Sequence, residues 1–187
     1  DQQGYPILVQ HGLIASIDDY VLFHNLLRPN IRLISIARPG YGESAPYLME
    51  SFAEWAALVE PLIDELGLTK FDVLGISSGS PYAYSLACGF PDKVRNVFIL
   101  SGIPALYDET VLASWPHPGL ESQSIEDLQA LAYDLFFSGL SHADLNTNAI
   151  NDSMRHDCFG VAQDLRLRYL DWGFCLSAIQ QNVFMRH

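Results

Sequence analysis

The first hundred residues alternate short apolar runs with longer segments of helical spacing, and this alternation constrains the fold more than any other feature. Apolar runs at 7–10, 31–37, 71–76 and 94–100 are rich in Val, Ile, Leu and Phe, which predicts buried strands. The segments between them are long enough to bring the chain back parallel to the preceding strand. The sequence therefore predicts an α/β fold with an open, mostly parallel sheet flanked by helices.

Capping patterns and hydrophobic spacing predict where the helices begin and end. The stretches 16–19 (Ser-Ile-Asp-Asp) and 51–54 (Ser-Phe-Ala-Glu) have the form of capping boxes, and each precedes apolar residues at helical spacing. A third helix is predicted over 79–88, because Gly89 and Pro91 follow it as typical C-terminal signals.

Beyond Pro104 no further strand is predicted until the chain nears its last residues. Ser124 is predicted to cap a helix with one apolar face, and weaker helical stretches are predicted near 142–157 and 160–171. An apolar strand is predicted to resume near 182–185. We therefore divide the chain into three predicted parts: an α/β core at 1–104, a helical cap at 105–178 and a return to the core sheet at 179–187.

Charge and cysteine content limit the partners and the compartment of this chain. Its formal charge is −12 at pH 7 and no basic run offsets it, so neither nucleic acid nor an anionic membrane is an expected partner. No apolar run reaches the roughly 18 residues that a membrane-spanning helix needs. The three cysteines lack CxxC spacing, which predicts free thiols in a reducing compartment and hence a cytoplasmic location.

Ser77 lies in a Gly-x-Ser-x-Gly motif where a predicted strand meets a predicted helix. Residues 75–79 read Gly-Ile-Ser-Ser-Gly, and the glycines permit a turn so tight that larger side chains would collide across it. Such a turn raises the serine hydroxyl above the sheet, beside the free N–H groups of a helix N-terminus. This context favours a nucleophile, and a serine without chemical function in a glycine-rich turn is the alternative.

Two backbone amides are candidates for stabilising an oxyanion next to Ser77. The Ser78 N–H lies at the start of the helix, and the Leu13 N–H follows His11 and Gly12 in the loop after the first strand. Preorganised donors of this kind typically stabilise an acyl-transfer transition state by a few kcal/mol each. Only the backbone of Leu13 and Ser78 would take part.

The order of these motifs resembles that of the α/β-hydrolase superfamily, in particular its members with a helical cap. The matching segments follow one another along nearly the whole chain: ILVQHGL, RPGYGES, VLGISSGS, FPDKVRNVFILS and DWGFCLSAIQQNVFMRH. One departure is Arg38, which stands where the family often has an aspartate before its Pro-Gly turn. The resemblance implies the family's fold, a serine nucleophile at position 77 and no cofactor.

The resemblance also implies a catalytic acid and a histidine later in the chain. Family members with the acid directly after the strand that follows the nucleophile would have it at 101–103, which here is Ser-Gly-Ile. The six histidines do not match the late position of the family's histidine: His11, His24, His117, His142, His156 and His187. We therefore expect both groups to lie outside these residues, and expect the chain alone to have little activity, since an unactivated serine is a weak nucleophile.

Several further side chains are candidates for contacts with a substrate. The substrate-binding candidates are the loop residues His11 and Gly12 and the aromatic residues Tyr82 and Trp115, with Tyr84 and Phe136 as further aromatic candidates. For each aromatic residue a place in the core is the alternative. The acidic cap residues are predicted to form a solvated face, with a site for a substrate amine as the alternative: Glu126, Asp127, Asp134, Asp144 and Asp164.

The sequence therefore predicts a serine hydrolase that acts on a small-molecule ester or related acyl substrate through an acyl-enzyme on Ser77. A prolyl aminopeptidase-like peptidase is the second prediction and a carbon–carbon bond hydrolase the third. A non-enzymatic binding protein with the same fold is the alternative from another class. No metal site is predicted, because the histidines and cysteines lack the spacing of metal ligands.

Overall fold

Five parallel strands form one open sheet at the centre of the molecule. The structure is a computed structural model that describes residues 3–117, 119–120 and 122–187, with only the backbone of residues 20 and 21. The strands are β1 (Tyr5–Gln10), β2 (Ile31–Ser35), β3 (Phe71–Ile76), β4 (Val94–Leu100) and β5 (Asn182–Arg186). Their order is β2-β1-β3-β4-β5 and every neighbouring pair is parallel. The predicted α/β fold with an open parallel sheet is confirmed.

Helices connect the strands and continue beyond β4. The helices of the described residues are α1 (Tyr20–Leu26), α2 (Glu54–Glu65), α3 (Ser80–Gly89), α4 (Glu109–Ala113), α5 (Ile125–Phe136) and α6 (Asn148–Leu167). A 3₁₀ turn at Ser77–Gly79 joins β3 to α3. The helices α4, α5 and α6 fall inside the stretch predicted as a cap, and β5 begins where an apolar strand was predicted to resume.

The capping box predicted at 16–19 is wrong in its capping residue. Helix α1 begins directly after Asp19, whose carboxylate accepts a hydrogen bond from the Leu22 N–H at 2.9 Å. The Ser16 hydroxyl instead accepts the Asp18 N–H and donates to Asp152. Asp19 therefore caps the helix in place of Ser16, because the Ser16 hydroxyl is hydrogen-bonded to other groups.

Only half of the capping box predicted at 51–54 forms. The Glu54 carboxylate reaches back to the Ser51 N–H at 3.2 Å, but the Ser51 side chain does not cap α2. The cap predicted at Ser124 is confirmed, since its side chain accepts the Asp127 N–H at 3.1 Å. A carboxylate in the first turn also interacts favourably with the helix dipole in both cases.

The main core lies between the sheet and helices α2 and α3, and aromatic rings form its centre. Phe52, Trp55 and Trp172 are each at most 3% exposed and surround Tyr82, which is fully buried. Phe52 packs edge-to-face on Tyr82 with a centroid separation of 4.8 Å and on Trp172 at 5.5 Å. Burial of side chains this large contributes roughly 2–3 kcal/mol each, so residues of the loop after α6 take part in the stability of the sheet core.

Helices α5 and α6 pack on each other and enclose a second cluster that includes a residue of the core. Tyr41, from the turn after β2, is 1% exposed among Ala132, Phe137, Val161 and Leu165. The α4–α6 region is thus joined to the turn after β2 by apolar contact.

Helix α6 contains a break that separates two helical stretches. Backbone φ is positive at His156, Asp157 and Cys158, where L-residues are strained. The Gln129 side chain of α5 donates to the carbonyls of His156 and Asp157 at 3.0 Å each. The separate stretches predicted near 142–157 and 160–171 correspond to the two sides of this break.

The turn between β3 and α3 packs directly on the end of β1. A Cβ atom added at Gly79 would meet the backbone carbonyl oxygens of Gln10 and His11, the latter at 2.6 Å. A Cβ added at Gly75 would lie 2.8 Å from the Ser80 Cα. Both glycines are therefore required by the close approach of three backbone segments.

We expect Gly79→Ala to destabilise the protein by about 3 kcal/mol, because the new methyl group overlaps rigid backbone that cannot move aside. The matched control is Gly139→Ala, where nothing lies within 4 Å of an added Cβ. Urea unfolding of both variants measures the effect. Equal stability of the two variants would contradict the packing described for this turn.

Candidate active site

Ser77 occupies a strained position at the tip of the turn between β3 and α3. It follows the last residue of β3 and has φ +51, a left-handed conformation that costs a non-glycine residue roughly 1–3 kcal/mol. The Ser77 carbonyl accepts the Ser80 N–H and, at 2.9 Å, the Ser80 hydroxyl. Ser80 also accepts the Ile103 N–H at 3.1 Å, which ties the turn to the segment after β4. These bonds hold the strained conformation in place.

The Ser77 side chain is partly exposed and faces the loop after β1. A Cβ atom added at Gly12 would lie 3.9 Å from the Ser77 Cβ, so the two residues are immediate neighbours. Within the described residues no histidine or carboxylate is hydrogen-bonded to the Ser77 hydroxyl. The base and acid predicted for this serine are therefore not found among its contacts.

Arg38 and Tyr41 hold the loop at 11–13 through its carbonyl groups. The Arg38 guanidinium donates to the His11 carbonyl at 2.5 Å and to the Gly12 carbonyl at 2.9 Å. The Tyr41 hydroxyl donates to the Leu13 carbonyl at 2.8 Å. Three consecutive carbonyl groups of the loop are thus held by two side chains of the turn after β2.

The direction of the Leu13 amide follows from this anchoring. In a trans peptide the C=O and the N–H point in opposite directions, so fixing the Gly12 carbonyl on Arg38 directs the Leu13 N–H away from Arg38. That N–H has no backbone partner in the described part of the chain. The Ser78 N–H lies in the first turn of the helical segment, where amides have no intrahelical acceptor. Both amides predicted as oxyanion donors are thus available on the loop and turn beside Ser77.

A buried ion pair between Arg38 and Asp164 lies behind this loop. The two side chains are 0% and 1% exposed, and the Nη2–Oδ2 distance is 2.5 Å. The Asp164 carboxylate also accepts the Tyr82 hydroxyl at 2.6 Å and lies 3.1 Å from the Tyr41 hydroxyl. The Arg38 guanidinium lies over the rings of Tyr82 and Tyr41, at 4.5 Å and 5.0 Å from their centroids.

The electrostatics of this group follow from its burial and its partner. Burial lowers the pKa of Arg38, but the facing Asp164 outweighs it and the pKa of the guanidinium is raised overall. Burial and the Asp164 carboxylate raise the pKa values of Tyr41 and Tyr82 well above their usual value. All three groups therefore keep a fixed protonation state at physiological pH.

The prediction that Asp164 belongs to a solvated acidic face is wrong. Asp164 is buried because it neutralises a cation from the core, a partner 126 residues away that the local sequence does not reveal. The other four residues of that set are exposed as predicted: Glu126, Asp127, Asp134 and Asp144. The alternative of a site for a substrate amine loses one of its candidate carboxylates.

His11 is a buried, neutral residue of the anchored loop. Its Nδ1 lies 2.9 Å from the Gly12 carbonyl and its Nε2 accepts the Arg38 backbone N–H at 3.4 Å, which fixes the tautomer that carries the proton on Nδ1. Burial, with the nearby Arg38 cation, lowers the pKa of His11 well below its usual 6.5. The side chain is 1% exposed, so the prediction that it contacts a substrate is not supported by this structure.

The aromatic candidates divide between the core and a cavity. Tyr82 is fully buried and bonded to Asp164, and Tyr84 stacks on Trp172, so for both residues the prediction of a pocket wall is wrong. Tyr82 is 0% and Tyr84 8% exposed, so neither ring offers a surface to a ligand. Trp115 is half-buried and donates its indole N–H to the Tyr169 hydroxyl at 3.2 Å.

Trp115 and Phe136 line a cavity of about 490 Å³ between α5 and the end of α6. The remaining lining residues are His117, Leu120, Leu131, Leu135, Leu165, Arg168 and Tyr169. Cavities of this size accommodate small molecules. Arg168 connects the cavity to the turn at Ser77, because its Nη2 lies 3.3 Å from the Ser78 hydroxyl.

Sequence reasoning missed two cations of this site. Arg38 was noted only as a departure from the family pattern, which was the one signal that its position had a particular role. Arg168 carried no signal at all, because an arginine near the end of an amphipathic helix is ordinarily exposed.

The described residues contain no group of three or more His, Cys, Asp or Glu side chains that could hold a metal ion. In the same residues, no helix combines the length and the apolar character needed to cross a membrane. Cys88, Cys158 and Cys175 are all unpaired.

Comparison with known proteins agrees with the fold of the sheet and its helices. Residues 5–156 match the family described as alpha/beta hydrolase fold. The chain is similar in structure to the esterase EaEST from Exiguobacterium antarcticum, with a TM-score of 0.73 and 18% identity over 98% of this chain and 73% of that one.

Two curated relatives share part of the sequence. The chain is 28% identical over 101 residues to the uncharacterized hydrolase YcgS of Bacillus subtilis (strain 168), covering 54% of this chain and 36% of that protein. It is 25% identical over 114 residues to the pimeloyl-(acyl-carrier protein) methyl ester esterase of Legionella pneumophila (strain Corby), covering 61% and 44%. The chain spans less than half the length of both relatives.

We expect Asp164→Asn to destabilise the protein by about 3–5 kcal/mol, because it leaves the buried Arg38 cation without a counter-charge. Asp64→Asn is the matched control, since Asp64 pairs with Lys93 on the exposed surface, where ion pairs contribute little. Urea unfolding at neutral pH compares the two. A similarly small effect of both substitutions would show that Arg38 does not depend on Asp164.

We expect His11 to make stability depend on pH between about 6.5 and its lowered pKa. Below pH 6.5 the unfolded chain takes up a proton at His11 and the folded chain does not, so the free energy of unfolding falls as the pH falls, by up to about 1.4 kcal/mol per pH unit. Above pH 6.5 this contribution is constant.

Unfolding of the unmodified protein and of His11→Gln from pH 7 to pH 5 measures this dependence. The stability difference between them should shrink as the pH decreases, because the variant lacks the titrating group. His142→Gln, at an exposed position, is the control and should leave the pH profile unchanged. A constant difference across this range would contradict the lowered pKa, because it would mean that His11 takes up protons equally in the folded and unfolded states.

Proposed function

Because the chain belongs to the α/β-hydrolase fold family, we propose that it acts as a serine hydrolase on a small-molecule ester or related acyl substrate, with Ser77 as the nucleophile. The observation that carries this proposal is the left-handed Ser77 beside the Leu13 and Ser78 amides. A serine hydroxyl on such a tight turn, next to free N–H donors, is suited to acyl transfer. Similarity to an esterase in sequence and to another in structure supports an ester as the substrate.

The proposed reaction has two steps. The Ser77 Oγ attacks the carbonyl carbon of the substrate while a histidine accepts its proton, and the resulting oxyanion lies between the Leu13 and Ser78 N–H groups. The tetrahedral intermediate expels the alcohol, which takes the proton from the histidine, and leaves an acyl-enzyme on Ser77. Water then attacks the acyl-enzyme with the same histidine as base, which releases the carboxylic acid and restores Ser77.

The histidine and its acidic partner are proposed to come from residues other than these 187. His11 cannot serve as the base, because Nε2 accepts the Arg38 N–H and burial disfavours the charged ring. Ser101, at the position where some family members carry the acid, has an exposed side chain and no carboxylate. We therefore propose that the 187 residues alone have little hydrolytic activity.

The peptidase alternative has lost part of its support. It depended on acidic residues that could receive a substrate amine, and Asp164 is committed to Arg38 inside the protein. A non-enzymatic binding protein with the same fold is the alternative that the experiment below addresses.

The partner and the compartment are also proposals. We propose a small-molecule substrate and no nucleic acid, because the net charge of −12 repels phosphate backbones. A cytoplasmic location is proposed from three cysteines that are all unpaired.

We expect a fluorophosphonate probe to label the complete protein on Ser77, because the probe reacts with serines that are activated as nucleophiles. Ser77→Ala should abolish both the labelling and the hydrolysis of p-nitrophenyl acetate. Peptide mass spectrometry identifies the labelled residue.

Ser78→Ala is the matched control, because only the backbone of Ser78 has a proposed role. It should keep labelling, and hydrolysis should fall by less than about tenfold. Absence of labelling in the folded, complete protein would favour the binding role over the enzymatic one. If the 187 residues alone hydrolyse the ester as fast as the complete protein, the proposed location of the histidine is wrong.

A further inference from the structure

Arg168 lies where the cavity between α5 and α6 meets the turn that carries Ser77. It directly follows α6, and its Nη2 lies 3.3 Å from the hydroxyl of Ser78, the residue after the nucleophile. The same side chain lines the cavity of about 490 Å³. A cation therefore stands between the proposed reaction centre and the space in which a substrate could bind.

The guanidinium of Arg168 has no counter-ion among the described residues. Its two hydrogen bonds go to neutral oxygens, the Ser78 hydroxyl and, at 3.5 Å, the Asp164 backbone carbonyl. The Asp164 carboxylate is committed to Arg38, and the ion pair at the end of α6 joins Glu50 to Arg166 and not to Arg168. Burial lowers the pKa of Arg168, and the nearby Asp164 carboxylate opposes this shift without cancelling it.

The walls of the cavity are mostly apolar. Trp115, Leu131 and Phe136 lie on its sides, and no carboxylate of the described residues lines it. A charged ligand in such a cavity gains from the guanidinium and loses little to competing groups. The overall charge of −12 would otherwise disfavour anions, so attraction of an anion here depends on this one residue.

We propose that Arg168 binds a carboxylate of the substrate, so that the preferred substrates are esters that carry a second, free carboxylate on a short apolar spacer. This inference rests on the proposed function, because it places the ester carbonyl at Ser77. The planar guanidinium offers paired N–H groups that match the two oxygens of a carboxylate. Ser77 is the chain neighbour of Ser78, whose hydroxyl lies 3.3 Å from the Arg168 Nη2, so we propose that one short half-ester engages Ser77 and Arg168 together.

The test measures binding without turnover. Ser77→Ala in the complete protein removes the nucleophile and keeps the cavity. Isothermal titration calorimetry with this variant compares monomethyl adipate with methyl hexanoate, two esters of equal chain length that differ in the terminal carboxylate. Inorganic phosphate, which has charge but no apolar body, is the third probe.

We expect monomethyl adipate to bind about 10- to 100-fold more tightly than methyl hexanoate, because it gains a hydrogen-bonded charge pair. Adding Arg168→Met should remove this preference and leave the affinity for methyl hexanoate unchanged. Arg168→Lys should recover part of it, since lysine keeps the charge but not the planar pair of donors. Phosphate should bind more weakly than monomethyl adipate.

Arg155→Met is the matched control, because it removes an arginine of α6 that pairs with Glu43 on the exposed surface. The Arg155→Met variant should keep the full preference for monomethyl adipate over methyl hexanoate. The thermal midpoint of Arg168→Met should equal or exceed that of the unmodified protein, because the substitution removes a partly buried charge without a counter-ion. That result excludes unfolding as the cause of lost binding.

Equal affinity for the two esters in the Ser77→Ala protein would overturn the inference. So would an Arg168→Met substitution that lowers the affinity for both esters by the same factor. If phosphate binds as tightly as monomethyl adipate, the site binds anions in general and the proposed preference for carboxylate esters is wrong. The proposed reaction can be wrong while the inference about Arg168 holds. If the carboxylate preference depends on Arg168 but Ser77 is not labelled by a fluorophosphonate, only the enzymatic role is wrong.

Discussion

The ion pair between Arg38 and Asp164 is the interaction on which the candidate active site depends. Arg38 comes from the turn after β2 and Asp164 from α6, and together they are almost fully buried. The desolvation of two charges is costly, and an ion pair offsets this cost only if its remaining donors and acceptors are satisfied. Here the loop carbonyls of His11 and Gly12 and the hydroxyl of Tyr82 supply most of the additional partners.

This ion pair lies behind the loop at 11–13 and orients it. The Gly12 carbonyl is held by Arg38, so the Leu13 N–H points away from Arg38. The donors proposed to stabilise an oxyanion are thus set by α6, a helix distant in sequence, as well as by the turn itself. The α4–α6 region therefore contributes to the geometry of the site and does not merely cover it.

Reaction class and substrate preference have separate origins in this molecule. The turn at Ser77 and the anchored loop belong to the sheet core and carry the features common to the family, which support hydrolysis without naming a substrate. The cavity at Arg168 is built from α5, the end of α6 and the segment before α5. The proposed preference for a carboxylate arises from this second part, because a partly buried cation without a counter-ion favours an anionic ligand.

The sequence alone determined the order of strands and helices, the open parallel sheet and the turn at Ser77, because these depend on local apolar runs and on glycines whose spacing is visible. The Leu13 and Ser78 amides were predicted as oxyanion donors from the sequence, and that role stays a prediction. The sequence did not reveal that Asp164 is buried, that Tyr82 belongs to the core or that Arg168 reaches Ser78. Those facts arise from contacts between residues far apart in the chain, and only the tertiary structure decides which distant charge neutralises which.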